Sequence, residues 1–200
     1  LEWSRSKWSK PISWYLKLNE RYAINHADIT ITDNQGLLEY VDESYSVATV
    51  YIPYGGDQGI DYSPDKDVLE DIILPDGDFD LAISRAQPDN NIEMILSSYS
   101  YNSSPLVFIS NWESCDFGKD MRTRFGSLSN IYLIDPIYDL NKLAAIRSRA
   151  RLYVHGHSAG GTNPVLVESM WHSLPIVCFD VNFNRFTTHG EALFFKNKEE

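Results

Sequence analysis

The chain has 200 residues, 43% of them hydrophobic and 13% aromatic, which is enough apolar material for a core and excludes a disordered or collagen-like chain. Its 17 basic and 28 acidic residues give a net charge of −11. This balance argues against a nucleic-acid partner, because phosphate backbones are neutralised by clustered Lys and Arg.

The N-terminal part of the sequence indicates two helices and two strands, followed by a loop. Helical and strand spacing of apolar residues predicts a helix at 11–26, a strand at 28–32, a short helix at 35–40 and a strand at 47–52. The run Pro53-Tyr54-Gly55-Gly56-Asp57 is typical of a turn, and the polar stretch 57–78 predicts a connecting loop. We place a hinge between two lobes near 53–57.

From Phe79 onward, short apolar runs alternate with longer amphipathic ones, which is typical of consecutive βα units on a parallel sheet. The predicted strands are 79–84, 106–110, 131–134, 151–155, 175–179 and 193–195. The predicted helices are 91–101, 117–128, 139–150, 163–171 and a short one near 184–190. The economical fold is an α/β, Rossmann-like, doubly wound open sheet.

The N-terminal run combines tryptophans with cations. These residues are Trp3, Trp8 and Trp14 with Arg5, Lys7, Lys10 and Lys17. One interpretation is peripheral contact with an anionic membrane surface. The other is a helix that packs its tryptophans on the part of the N-terminal lobe that is missing from these 200 residues.

The most informative loop follows the predicted strand 151–155 and reads His155-Gly156-His157-Ser158-Ala159-Gly160-Gly161-Thr162-Asn163-Pro164. Small residues allow close backbone approach, and Asn163 as N-cap with Pro164 at the first helical position opens a helix. The loop amides and the positive helix end predict an anion site suited to a diphosphate. The alternative is a tight turn without a ligand. The loop matches neither a P-loop nor GxGxxG.

Two charged residues stand near this loop in the predicted topology. Glu168 is the one charged residue between Pro164 and Trp171, so its carboxylate must meet a cation, hydroxyl groups or water. Ribose hydroxyls are one interpretation, and a structural ion pair, for instance with Arg85, is the other. Arg85 directly follows a strand, where a guanidinium can take two phosphate oxygens or merely cap the sheet edge.

These residues carry a resemblance. The segments Ile52-Pro53-Tyr54-Gly55, Ser84 to Asn91, the Gly-rich loop through Glu168-Ser169-Met170 and Leu174 to Val177 resemble the C-terminal lobe of family 4, GT-B glycosyltransferases. The closer resemblance is to the bacterial rhamnosyltransferase-like branch of capsule and O-antigen biosynthesis, and the opening Leu1 to Trp8 is similar to that branch's N-terminal lobe. His155 to Met170 is the most specific stretch.

The resemblance implies roles for individual residues. Arg85, Gly160, Gly161, Thr162 and Asn163 would bind the donor diphosphate, and Glu168 the ribose. Pro136, Ile137 and Tyr138 would lie at the base, with Tyr138 stacking or simply packed on the surface. His157 and Ser158 would contact the sugar. Gly160 replaces a glutamate common in the family, and Asn90 and Asn91 replace a lysine. For His155 and His157, hydrogen-bonded loop histidines are favoured over a general base or metal site.

The implied activity is retaining transfer of a hexosyl group from a nucleoside diphosphate sugar, without metal or other cofactor, to a saccharide acceptor on a lipid. The implied domains are 1–52, the tail of the N-terminal acceptor lobe; 53–78, hinge and loop; and 79–200, the donor lobe. The general base would lie in the rest of the N-terminal lobe, so residues 1–200 alone are expected to be inactive. The alternatives are a sugar-nucleotide epimerase or a non-catalytic nucleotide-binding module with a partner chain.

The cysteine pattern and the absence of targeting signals indicate a compartment. Cys115 and Cys178 lack the spacing of a zinc site or a disulfide framework. The sequence shows no signal-peptide pattern and no run of about 20 apolar residues. We therefore expect a reduced, cytoplasmic location, at the inner face of the plasma membrane if the acceptor is on a lipid.

Overall fold

A computed structural model describes residues 2–5, 8–57 and 66–199. The N-terminal part contains helix α1 (Lys10–His26), strand β1 (Thr30–Thr32), helix α2 (Gln35–Ser44) and strand β2 (Thr49–Tyr51). The two strands pair in parallel and form their own small sheet. Helix α2 is longer than predicted because Val41, one residue beyond the predicted end, is buried and continues the apolar face.

The rest of the chain alternates strands and helices as predicted. The elements are β3 (Phe79–Ile83), α3 (Ile92–Ser100), β4 (Leu106–Ile109), α4 (Asp116–Phe125), β5 (Ile131–Ile134), α5 (Leu140–Arg149), β6 (Ala150–His155), α6 (Pro164–Trp171), β7 (Ile176–Phe179), α7 (Asn182–Thr187) and β8 (Leu193–Phe195). Helix α4 ends three residues earlier than predicted, at Phe125 with Gly126 as its C-cap, and α7 lies two to three residues earlier than predicted.

The six strands form one parallel sheet in the order β5-β4-β3-β6-β7-β8. Both faces are covered, which explains why β3 and β4 are almost continuously buried. On one face α3 and α4 pack around Phe108 and Trp112. On the other face α5 and α6 pack around Leu81 and Tyr153. The predicted Rossmann-like α/β fold is confirmed.

The segment predicted as a polar loop at 57–78 is only partly described, since residues 58–65 lie outside the described part. Its second half departs from the prediction. A single 3-10 turn spans Lys66–Leu69, and Leu69 is buried against the α5 face of the sheet together with Ile72 and Leu74. These apolar side chains anchor the connection, so it is more than a solvated link.

The N-terminal tryptophans have different environments. Trp3 donates its indole N–H to Glu20 of α1 at 3.1 Å, and the Lys17 ammonium lies 4.6 Å from its ring centroid. Trp8 donates to Glu2, whereas Trp14 is 65% exposed. Trp3 therefore packs on α1 of the same chain and not on a missing lobe, while Lys7 lies outside the described residues.

Candidate functional site

The strand order creates one crevice at the carboxyl ends of the strands. From β3 the chain proceeds to β4 and β5 on one side, and from β6 to β7 and β8 on the other. In open α/β sheets, ligands bind where this order reverses. The crevice is bordered by the loop after β3, residues 84–91, and by the loop after β6, residues 156–163. The tertiary structure thus brings Arg85 and the Gly-rich loop to one switch point.

The Gly-rich loop ends in the predicted cap. The Asn163 side chain accepts a hydrogen bond from the Val165 amide at 3.0 Å, and Pro164 is the first residue of α6. Gly160 has a φ of +117°, a backbone conformation that residues other than glycine rarely adopt. Within the described part of the chain, the amides of residues 159–163 donate no hydrogen bond. They remain available to an anion at the positive end of α6.

The two loops are tied to each other. Asn91 donates to the Gly156 carbonyl at 2.8 Å, and both the amide and the hydroxyl of Ser158 donate to the Asp89 carbonyl. A Cβ on Gly156 would stand 2.1 Å from the Asn90 carbonyl oxygen, so only glycine permits this approach. The hydroxyl proton of Ser158, a predicted sugar ligand, is committed to this internal contact.

The histidines are held neutral by their surroundings. Burial lowers the pKa of His155 to about 3, and the charge of His157 adds to this shift. His157 has a pKa lowered mainly by burial and then by the Arg5 cation, which Asp89 partly opposes. Its Nδ1 donates to Asn90 Oδ1 at 2.7 Å, since the Asn90 amide nitrogen itself donates to the Arg85 carbonyl. The Nε2 lone pair of His157 therefore lies beside Gly160.

Glu168 forms an ion pair, but with a different cation from the one considered in the sequence. Arg147 of α5 donates from Nη2 to Glu168 Oε2, and the two side chains are 4% and 20% exposed. The suggested pair with Arg85 is wrong, because Arg85 belongs to the loop beyond β3 and Arg147 projects from a helix packed beside α6 on the same face. Glu168 Oε1 has no hydrogen bond to any described residue.

Arg85 itself is exposed at the mouth of the crevice. Its carbonyl accepts hydrogen bonds from Gln87 and Asn90, which fixes the loop, but its guanidinium forms no ion pair or hydrogen bond with the described residues. An unpaired guanidinium beside free amides is an arrangement that suits phosphate oxygens.

The candidate base residues lie at the sheet edge. Pro136, Ile137 and Tyr138 line a cleft of about 700 Å³ beside β5, together with Asp71 and Lys142, whose side chains form an ion pair. Tyr138 is 87% exposed, so its ring is not packed on the surface. Since β5 is three strands from β6, this cleft lies about 14 Å from the Gly-rich loop at a spacing of about 4.8 Å a strand.

The N-terminal part contributes residues to the crevice that the sequence did not identify. Asn34 caps α2 and is 1% exposed; its amide donates to Thr162 Oγ1, Phe183 O and Thr187 Oγ1. Thr162 Oγ1 donates in turn to the Asp33 carbonyl, so its hydroxyl is engaged and only its amide remains for a ligand. The Asn34-Gln35-Gly36 cap is visible in the sequence, but its partners are more than 100 residues away.

The close approach of the N-terminal part to the Gly-rich loop requires a glycine at position 161. A Cβ there would stand 2.3 Å from Asp33 Oδ1 and 2.8 Å from Leu37 Cδ1. The Asp33 carboxylate therefore borders the loop at Gly161, and a negatively charged ligand is favoured at the Gly160 side, away from it.

Across the described ranges 2–5, 8–57 and 66–199, no group of three or more His, Cys, Asp or Glu side chains is arranged to hold a metal ion. Among the helices in the same ranges, none is both long and apolar enough to traverse a lipid bilayer.

Sequence comparison matches one family over part of the chain. A family described as a domain of unknown function, DUF1972, matches residues 1–57. No protein among those with curated descriptions matches the chain in sequence.

Solved structures share the fold. A sucrose-phosphate synthase from Thermosynechococcus elongatus superposes with a TM-score of 0.77 at 17% identity, over 98% of this chain and 52% of that one. HepE from Anabaena in complex with UDP-glucose gives 0.73 at 14% identity, over 94% and 55%. A Listeria monocytogenes protein classed as a UDP-N-acetylglucosamine 2-epimerase gives 0.55 at 14% identity, over 96% and 54%. The chain spans about half the length of these proteins and has the Rossmann-like fold of that half.

Proposed function

We propose that this chain binds a nucleoside diphosphate sugar in the crevice between the loops after β3 and β6, and that it forms the donor half of a glycosyltransferase. One observation carries the proposal. Among the described residues, the amides of residues 159–163 have no acceptor at the start of α6 and the Arg85 guanidinium has no partner, and Arg85 is close enough to this loop to lower the pKa of His157. The shared fold of HepE, which was solved with UDP-glucose, supports the same ligand class.

In this proposal each group has a chemical task. The loop amides, the helix end and Arg85 stabilise the negative charge that develops on the departing diphosphate, which is the main electrostatic requirement of the transfer. Glu168 accepts hydrogen bonds from the ribose through Oε1, and the loop 136–138 receives the base. His157 presents a neutral Nε2 beside Gly160, where a sugar hydroxyl can donate to it.

The finer assignment is also a proposal. The motif resemblance favours a family 4 enzyme of the rhamnosyltransferase-like branch, with retention at the anomeric carbon and a lipid-linked saccharide acceptor in surface polysaccharide synthesis. The acceptor site and the general base would belong to the rest of the N-terminal lobe. We expect the 200 residues alone to bind the donor without transferring sugar.

Calorimetric titration with UDP, GDP and dTDP tests the proposal directly. We expect one of the three to bind more tightly than the others, with affinity reduced by Arg85→Gln and unchanged by Arg21→Gln on an exposed turn of α1. The proposal would be contradicted if UDP, GDP and dTDP all bound equally weakly. It would also be contradicted if a structure determined with nucleotide present showed protein side chains filling the crevice.

An epimerase is the second candidate, because the Listeria protein classed as a 2-epimerase shares the fold. The two activities differ in their need for an acceptor. With a UDP sugar and no saccharide acceptor, an epimerase that includes the proposed N-terminal lobe would still consume the donor, releasing UDP and, after addition of water, the epimerised free sugar. The transferase requires an added saccharide before the sugar is consumed.

A further inference from the structure

Arg5 is a largely buried cation at the crevice that belongs to no element of the Rossmann-like domain. Its Nε lies 3.0 Å from Glu2 Oε2, and its Nη1 lies 3.4 Å from Asp89 Oδ2. Its Nη2 lies 3.5 Å from the position that a Cβ of Gly160 would take. The side chain is 13% exposed. The N-terminal segment thus holds a guanidinium directly against the Gly-rich loop.

The surroundings of Arg5 favour a ligand at this point. A cleft of about 500 Å³ opens beside it between the loops after β3 and β4, lined among others by Gln87, Asn111 and Cys115. Arg5 and Arg85 both lower the pKa of His157, after the larger effect of burial, so the fields of the two cations overlap at the loop. No hydrogen bond from Nη2 of Arg5 is formed with a described residue.

The charge balance of the crevice calls for a second cation. A helix end contributes about +0.5 of an elementary charge, and with Arg85 alone this leaves much of a diphosphate unneutralised. The carboxylate of Asp33 repels phosphate at Gly161. Arg5 shares its charge with Glu2 and Asp89 through Nε and Nη1, and its Nη2 offers a donor at Gly160. The favourable position for the more highly charged phosphate is therefore between Arg5 and Gly160.

The position of Arg5 also determines which phosphate of a bound nucleoside diphosphate it contacts. Glu168, the proposed ribose ligand, projects from α6 on the α5 side of the sheet. Arg5 faces Asp89 and the cleft that contains Phe117, on the α3 and α4 side. A nucleotide with its ribose at Glu168 therefore extends its β-phosphate toward Arg5.

We propose that Arg5 is a second ligand of the donor diphosphate, which exchanges its contact with Asp89 for a β-phosphate oxygen at Gly160. This inference rests on the proposed function. The exchange does not dismantle the loop, because Asp89 holds Ser158 through its main-chain carbonyl and not through its carboxylate. The planar guanidinium offers paired donors that match phosphate geometry.

Calorimetry on the chain with the tightest-binding nucleoside diphosphate and its monophosphate tests this role. Arg5→Gln should weaken diphosphate binding about tenfold or more, the usual effect of losing a hydrogen bond between charged groups. Monophosphate binding should change less than twofold, since the β-phosphate is missing. Arg21→Gln, which removes an exposed arginine of α1, should alter neither.

Asp89→Asn separates a ligand role from a structural one. It removes the ion pair but keeps the cation, so diphosphate affinity should be retained or increased, and Arg5→Lys should give an intermediate loss. Equal losses in Arg5→Gln and Asp89→Asn, or an unchanged diphosphate affinity in Arg5→Gln, would overturn the role of Arg5 while leaving the proposed function in place. Failure of the unsubstituted chain to bind any nucleotide would overturn both.

Discussion

Arg147 and Glu168 form a side-chain ion pair that joins helices α5 and α6 beneath the crevice. Only Oε2 of the carboxylate is engaged, and Oε1 has no partner among the described residues. The carboxylate is therefore held in one orientation by a buried cation while one oxygen remains for a ligand. A structural ion pair and a ligand role, which the sequence offered as alternatives, are compatible in this geometry.

The stability of the chain should depend strongly on this pair. Glu168→Gln leaves the Arg147 charge buried without a counter-ion, and we expect a loss of about 3 kcal/mol in the free energy of unfolding. Urea denaturation measures it. The double variant Arg147→Met/Glu168→Leu should recover most of the loss, because an apolar pair carries no desolvation cost. A loss below about 1 kcal/mol in Glu168→Gln would show that the pair is solvated.

The ribose contact can be measured separately from stability. For the unsubstituted chain, a nucleotide lacking both ribose hydroxyls should bind about tenfold more weakly than its parent, because Glu168 loses its donors. In Glu168→Gln the same removal should have a smaller effect. Calorimetry with both nucleotides and both proteins closes a double-mutant cycle. Equal effects of the hydroxyls in both proteins would place the ribose elsewhere.

Gly156→Ala should separate the two loops of the crevice. The added Cβ would stand 2.1 Å from the Asn90 carbonyl oxygen, so the backbone must shift, and we expect about 1–3 kcal/mol of destabilisation with weakened nucleotide binding. Gly77→Ala is the matched control, since no atom lies within 4 Å of its Cβ position. Denaturation curves of the two variants that coincide would disprove the close approach.

Acid should destabilise the chain through His155. Its pKa is lowered by burial from 6.5 to about 3, so the unfolded state binds the proton first as the pH falls. Stability from this group is complete above about pH 6.5 and is lost between there and about pH 3. From pH 7 to pH 5 we expect about 2 kcal/mol of loss, at 1.36 kcal/mol for each pKa unit.

Urea denaturation at the two pH values checks this expectation. His155→Gln should reduce the difference between pH 7 and pH 5, whereas His26→Gln on the exposed surface of α1 should leave it unchanged. His157, whose pKa is also lowered, adds to the effect in the same direction. A pH dependence that persists unchanged in His155→Gln would assign it to other groups.

The local pattern of the sequence determined the order and type of the elements. Continuous apolar runs such as Leu106 to Ile109 indicate strands that are buried on both faces, and the Asn163-Pro164 pair indicates the start of a helix. Both patterns depend on neighbours within a few residues, so they can be recognised in the sequence without knowledge of the tertiary structure. The Gly-rich loop was identified for the same reason.

Only the tertiary structure decided which distant side chains meet. Arg147 stands 21 residues before Glu168, and Arg5 stands 84 residues before Asp89. In each case several cations were available in the sequence, and the choice among them depends on how helices and segments pack across the sheet. The sequence determines the charge and chemical type of each side chain. The distance between two charges, which sets their electrostatic interaction energy, is determined by the fold.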